Sequence, residues 1–262
     1  MKKVLIVVVM MFLALPCIAF ADHPLVTDEA ETLEKGAYEF ELNSEYAYNE
    51  EDEGGITIKE TEIEIEAEFA YGIIENLEGF IEVPYATVKE ESTLGDESES
   101  GLADIELGVR WKFLENEQIS LAIKPFFILP TGDEEKGLGT GELSYGATLI
   151  ATKEIGELEL HANLGLTHYE YKDDLVADES RSDIFHISLA VASEISEQLT
   201  VVGNIGMDTN QDKNSDEHPV FLLGGVSYKL TENVNLSGGL KIGITEPAED
   251  YALLIGLSFE KE

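Results

Sequence analysis

Apolar residues recur at every second position along almost the whole chain, and this period constrains the fold more than any other feature. From Tyr38 to Tyr48 one face carries Tyr38, Phe40, Leu42, Tyr46 and Tyr48, while Glu39, Glu41, Asn43 and Glu45 occupy the other. Ile63, Ile65, Ala67, Phe69 and Tyr71 then alternate with Glu62, Glu64, Glu66 and Glu68. Successive side chains of an extended strand point to opposite faces, so this pattern predicts half-buried β-strands rather than helices. Further alternating runs cover Leu77–Tyr85, Ala103–Phe113, Ile119–Leu129, Leu143–Ala151 and Leu158–Leu166. The last five are Phe185–Val191, Leu199–Met207, Val220–Leu230, Val234–Ile244 and Tyr251–Phe259. The expectation is about twelve strands of roughly ten residues.

The connections alternate too. Long polar segments at Asn49–Gly55, Lys89–Gly101, Pro130–Gly141, Glu170–Ser182 and Asp208–Pro219 are interleaved with short ones. The short ones lie near Ile74–Asn76, Glu115–Gln118, Glu154–Gly156, Glu194–Gln198 and Thr231–Asn233; only Glu246–Asp250 is compact where a long loop is due. Short periplasmic turns and longer outer loops on an even number of strands characterise outer-membrane barrels. The fold class expected is therefore all-β: a closed antiparallel transmembrane β-barrel. Aromatic placement agrees. Tyr38, Tyr71, Trp111, Phe113, Tyr228 and Phe259 fall at one rim, and Tyr46, Tyr48, Tyr85, Phe127, Tyr145, Phe185 and Tyr251 at the other, as interfacial girdles do.

The N-terminus reads as an export signal. Lys2 and Lys3 precede an apolar run from Val4 to Phe20 that ends in Ala19-Phe20-Ala21, so residues 1–21 are expected to be cleaved before Asp22. Pro16 argues against an uncleaved span, and it is bulky where a lipoprotein built on Cys17 needs a small residue. Residues 22–35 form a polar periplasmic segment that either hangs free or returns into the lumen, and 36–262 form the barrel. The single cysteine leaves with the signal, which excludes disulfides and cysteine-based metal chemistry in the mature chain. Removing Lys2 and Lys3 leaves 14 basic residues against 54 acidic ones, a net charge of −40. Such a chain repels nucleic acid, and with 44% apolar residues it is no disordered acidic tail.

Three segments carry a family resemblance: Gly101-Leu-Ala-Asp104-Ile-Glu-Leu-Gly108-Val-Arg110-Trp111-Lys112-Phe113, Leu129-Pro-Thr-Gly132-Asp133 with Gly137-Leu-Gly139-Thr-Gly141, and Val83-Pro84-Tyr85. Together they resemble the outer-membrane barrel family named for a proposed role in the meta-pathway of phenol degradation. The resemblance implies a barrel that passes small molecules, aromatic ones among them.

Strands that are apolar toward lipid turn their polar faces inward. That places Glu39, Glu41, Glu62, Glu64, Glu66, Glu68 and Glu82 on an acidic wall, beside Glu106 and a short basic ladder of Arg110, Lys112 and Lys124. Charged walls set ion preference in channels, so the expected function is a channel or passive transporter for small molecules with a preference for cations. The alternative is a closed structural or adhesive barrel whose acidic loops bind divalent cations or partners. His186 and Ser188 share the lumen face, but no G-x-S-x-G nucleophile motif occurs, and no enzyme is expected. No cofactor is called for, and His23 with His218 makes a poor metal pair. Expected partners are outer-membrane lipid, a small-molecule solute, and the barrel-assembly machinery through the C-terminal strand ending at Phe259. The expected location is the outer membrane of a Gram-negative bacterium.

Overall fold

The computed structural model describes residues 23–53, 56–92 and 95–261, so the signal segment and its cleavage site lie outside the described residues. Among the described residues, thirteen strands form one antiparallel sheet: β1 Tyr38–Glu53, β2 Ile56–Ile74, β3 Leu77–Ser92, β4 Gly95–Leu102, β5 Ile105–Asn116, β6 Ile119–Leu129 and β7 Ser144–Ile155. The sheet continues through β8 Leu158–His168, β9 Asp183–Ser196, β10 Leu199–Asp208, β11 Val220–Thr231, β12 Val234–Gly243 and β13 Tyr251–Lys261. Both β4 and β5 lie along β3, β4 on its outer half and β5 on its inner half, so thirteen segments fill twelve positions. The break falls at Ala103-Asp104, where Ala103 N–H still bonds Pro84 O at 3.0 Å.

Closure is made by β1 and β13, which pair in register from Tyr38↔Lys261 to Tyr48↔Tyr251, while β2 pairs with β3. Closure gives the strands two neighbours over the apolar belt, as a hydrocarbon environment demands of backbone polar groups. Single-sided pairing is confined to the outer extensions, β4 on β3 and the end of β1 on β2. No helix among the described residues is long and apolar enough to cross a membrane. Outward side chains are apolar and uncovered: Leu164 and Ile255 are 56% and 62% exposed, and Phe127 and Phe185 more than half. A belt of this extent around a whole molecule has lipid as its natural contact. The girdle aromatics touch across strands at both rims. Tyr38 meets Phe69 and Phe259 with ring centroids 6.3 Å apart, and Tyr48 stacks on Tyr251 at 5.5 Å.

Two expectations are corrected above the outer rim. The acidic stretches expected as long loops at Asn49–Gly55 and Lys89–Gly101 are instead hairpins. β1 and β2 stay paired to Glu53↔Ile56, and β3 and β4 to Ser92↔Gly95. Ile58 and Val88 fall on the parity of Glu60 and Glu62 rather than on the outward apolar face, yet the backbone ladder runs on, so charge alone does not break it. The long segments after β6, β8 and β10 are true loops, carrying a short 3-10 turn at Glu134–Lys136 and one helix, α1, at Asp174–Glu179. The three interlock. Thr140 O accepts Lys172 N–H at 3.0 Å, and Glu179 O accepts Lys213 N–H at 2.9 Å. Arg181 donates to the carbonyls of Asn210 at 2.7 Å and Ser215 at 3.0 Å.

Asp104 explains why the glycine-rich motifs occur together. Its carboxylate accepts the Gly132 and Thr140 amides, both at 2.8 Å, and so latches the β6–β7 loop onto the β4–β5 break. Gly132 and Gly139 sit against this carboxylate and the Leu138 backbone, where a Cβ would clash.

Candidate functional site: a strapped lumen

The polar segment before β1 takes the second of its two expected courses and returns into the barrel. It is anchored at the inner rim, where Gly36 N–H donates to Gly72 O at 2.8 Å. From there it crosses the lumen toward residue 23, and each wall supplies it a polar partner. Leu33 N–H donates to Glu78 at 2.7 Å, Ala30 N–H to Thr152 Oγ1 at 2.9 Å and Val26 N–H to Asn204 Oδ1 at 2.8 Å. Asn163 brackets the Asp28 backbone: with its amide oriented to suit these neighbours, it accepts the Asp28 N–H at 2.6 Å and donates to the Asp28 carbonyl at 3.0 Å. His23 Nδ1 meets Ser237 Oγ at 2.6 Å. An extended segment inside a barrel has no strand partner, so side chains of the wall must satisfy its backbone.

The wall that receives this strap is built small. Gly225 and Gly239 abut Pro24, and Gly256 abuts His23; a Cβ would collide at Gly225 and Gly256 and press tightly on Pro24 at Gly239. Ser188, Ser227, Ser237 and Ser258 are buried on the same side. Large side chains there would exclude the strap.

On the opposite side the walls are charged, and a cavity of about 710 Å3 remains between them and the strap. Of the residues expected to face the pore, Glu39, Glu41, Glu64, Glu66, Glu68, Glu82, Arg110, Lys112 and Lys124 line this cavity. Glu62 and Glu106 share the same strand faces but lie outside it, Glu62 paired beside Ala47 and Val88 and Glu106 beside Glu82 and Ile128. Glu75, Asn76, Glu115 and Glu260 carry the cavity to the inner rim.

The strap also changes the charge pattern. Asp28 lies 3.5 Å from Lys124 and 3.7 Å from Arg110, and Glu31 lies 2.6 Å from Lys112. Burial alone would raise the Asp28 carboxyl, but Lys124 and Arg110 outweigh it and hold it below the usual aspartate range. Arg110 also faces Glu78 at 3.4 Å, Lys124 faces Glu82 at 3.3 Å, and Lys124 lies 4.5 Å above the Phe80 ring. The basic ladder is thus matched by acids from the strap and from β3. The carboxylates of β1 meet Lys241 of β12, 2.6 Å from Glu45 inside the lumen, and Lys59 of β2, 3.2 Å from Glu50 in the exposed outer hairpin.

Lys241 and the strap acids went unread in the sequence. Parity places Lys241 inside, since Leu240 and Ile242 face out. Nothing in residues 22–35 has a period, so no pattern could place Asp28 or Glu31.

One arrangement looks catalytic and is not built for it. His186 contacts Asp208 through Nδ1 and Ser188 Oγ through Nε2, both at 2.8 Å. Ser188 is only 2% exposed, so no substrate carbonyl can reach its oxygen.

A family model described as "Putative MetA-pathway of phenol degradation" matches residues 53–260. No curated protein matches the chain. Among solved structures, an outer membrane channel from Pseudomonas putida F1 superposes with a TM-score of 0.69 at 15% identity, covering 88% of this chain and 98% of the other. The NanC porin gives 0.56 at 12% identity over 84% and 98%. The toluene transporter TbuX of Ralstonia pickettii gives 0.50 at 8% over 88% and 90%. These likenesses establish the barrel fold.

Proposed function

From its place in the MetA-pathway phenol-degradation family, to which this chain belongs, we propose that it is a passive outer-membrane channel for small molecules, with a lumen that favours cations. The observation that carries the reading is the cavity of about 710 Å3 between the strap and the β1–β2 carboxylates, inside a closed barrel with an apolar outer belt. A barrel whose interior were filled by side chains would leave no such space. Because Asp28 and Glu31 engage Arg110, Lys112 and Lys124, the fixed charge facing this space is predominantly negative. A wall of one sign attracts counter-ions and excludes co-ions. Solved neighbours of the same fold include an outer membrane channel and a toluene transporter, which supports transport of small solutes and leaves their chemistry to the lumen.

The chain would be inserted by barrel-assembly machinery reading the β13 strand that ends near Phe259. Purified protein in planar bilayers, under a salt gradient, should give discrete conductance with a cation-selective reversal potential. Changing Glu64 and Glu66 together to Gln should move that potential toward zero. A folded barrel that is silent in bilayers would overturn the channel and favour a closed structural role.

A further inference from the structure

The strap brings one acidic residue, Glu29, against a buried histidine and a second carboxylate on β8. The donor atoms of Glu29, Glu159 and His161 all lie within 4.8 Å of one another. His161 is 3% exposed, and its Nε2 faces Glu159 Oε2 at 3.9 Å, too far for a hydrogen bond. The other ring nitrogen, Nδ1, is held by Thr152 Oγ1 at 3.0 Å. That hydroxyl already accepts the Ala30 amide at 2.9 Å, one residue along the strap from Glu29. With the proton on Nδ1, that hydroxyl accepts it through its second lone pair and the Nε2 lone pair turns toward the two carboxylates, which is the tautomer that a metal at Nε2 would select.

We propose that Glu29, Glu159 and His161 form a divalent transition-metal site of the zinc class, which ties the N-terminal strap to β8. A metal-bound imidazole ordinarily has its far nitrogen hydrogen-bonded to an orienting group, and Thr152 fills that place. Three protein donors leave a fourth position for water, the usual tetrahedral complement of zinc. The nitrogen donor discriminates against calcium and magnesium, which take oxygen ligands. Two carboxylates balance the charge of the ion. The ligands must close by about an ångström from their present spacing, a shift within the rotamer freedom of two glutamates. One ligand comes from the strap and two from the wall, so bound metal would oppose any departure of the strap from the lumen.

The test is calorimetric titration of Zn2+ into the metal-stripped mature barrel in detergent, with excess Ca2+ present to occupy the outer carboxylates. One Zn2+ per chain is expected, with affinity at least about tenfold weaker in Glu29→Gln and in His161→Ala. His186→Ala, whose two ring nitrogens already have partners, should bind as the parent does. Glu29 lies on the strap rather than in the sheet, so its variant keeps the barrel even where His161→Ala fails to fold. Equal Zn2+ affinity in the parent and in folded Glu29→Gln would overturn the proposal, as would displacement of the Zn2+ by Ca2+. The readout does not depend on whether the barrel conducts.

Discussion

At the scale of single residues, Asp104 does the work that the family motif advertises. Its carboxylate accepts two loop amides at 2.8 Å, so Asp104→Ala leaves both donors without it. Hydrogen bonds to a charged group contribute roughly 1.5–3 kcal/mol each, and solvent will recover part of that in a half-exposed loop. A net loss of about 3 kcal/mol, roughly a hundredfold in the population of the open loop, is expected. Limited proteolysis should then cut within residues 130–143 far faster, while heat-modifiable migration of the barrel stays as it was. His23 offers a different residue-scale test. Burial pushes its ring down from 6.5 to about 4. A histidine whose docked pKa is depressed stabilises docking fully above its free value. That contribution, about 3 kcal/mol, is lost as pH falls from 6.5 toward 4, because only the undocked ring takes up a proton there. NMR titration of the His23 ring in detergent should show a midpoint near 4; a midpoint at 6.5 would mean a solvated, undocked strap end.

At the scale of elements, strands were legible because their side chains have only two places to go. Lipid selects apolar residues at one parity and the lumen tolerates polar ones at the other, so Glu62 to Glu68 against Ile63 to Phe69 declares both the strand and its faces. Of the eleven residues that this reasoning turned toward the lumen, nine line the cavity. The same reasoning misjudged the stretches around Glu51 and Glu90, where acidic composition suggested loop although the backbone ladder runs on to Glu53↔Ile56 and Ser92↔Gly95. The strap was not legible for a deeper reason. Its backbone is satisfied by single side chains scattered over the whole chain, at Glu78, Thr152, Asn163 and Asn204, and no local period encodes such contacts. The glycines and serines of β9 to β13 that make room for it look, in sequence, like weak strand formers. Their use can be measured. Deleting residues 23–35 should raise single-channel conductance severalfold without preventing barrel assembly, since the β1–β13 seam begins at Tyr38. Unchanged conductance after the deletion would show that the strap does not limit the path.

At the scale of the whole molecule, the lumen is divided by charge as well as by volume. The strap fills the side lined by small residues and brings acids to the bases of β5 and β6, and the cavity is left to the carboxylates of β1 and β2. The resulting field is transverse, strongest at the β1–β2 wall and spent at the strap. Its reach is set by salt: the screening length is about 10 Å at 0.1 M and about 3 Å at 1 M. A twelve-strand barrel encloses a lumen wider than the second length and comparable with the first, once the strap is in place. Cation preference should therefore be strong near 0.1 M salt, where the field spans the whole cavity. Near 1 M the middle of the cavity escapes the wall, and the preference should fade toward the ratio of free ion mobilities. Reversal potentials measured at a fixed salt ratio but rising absolute concentration would follow that fading. A preference independent of concentration would instead locate selectivity in a narrow contact site, such as the Glu82–Lys124–Asp28 cluster, where ions touch their ligands and screening has no room to act.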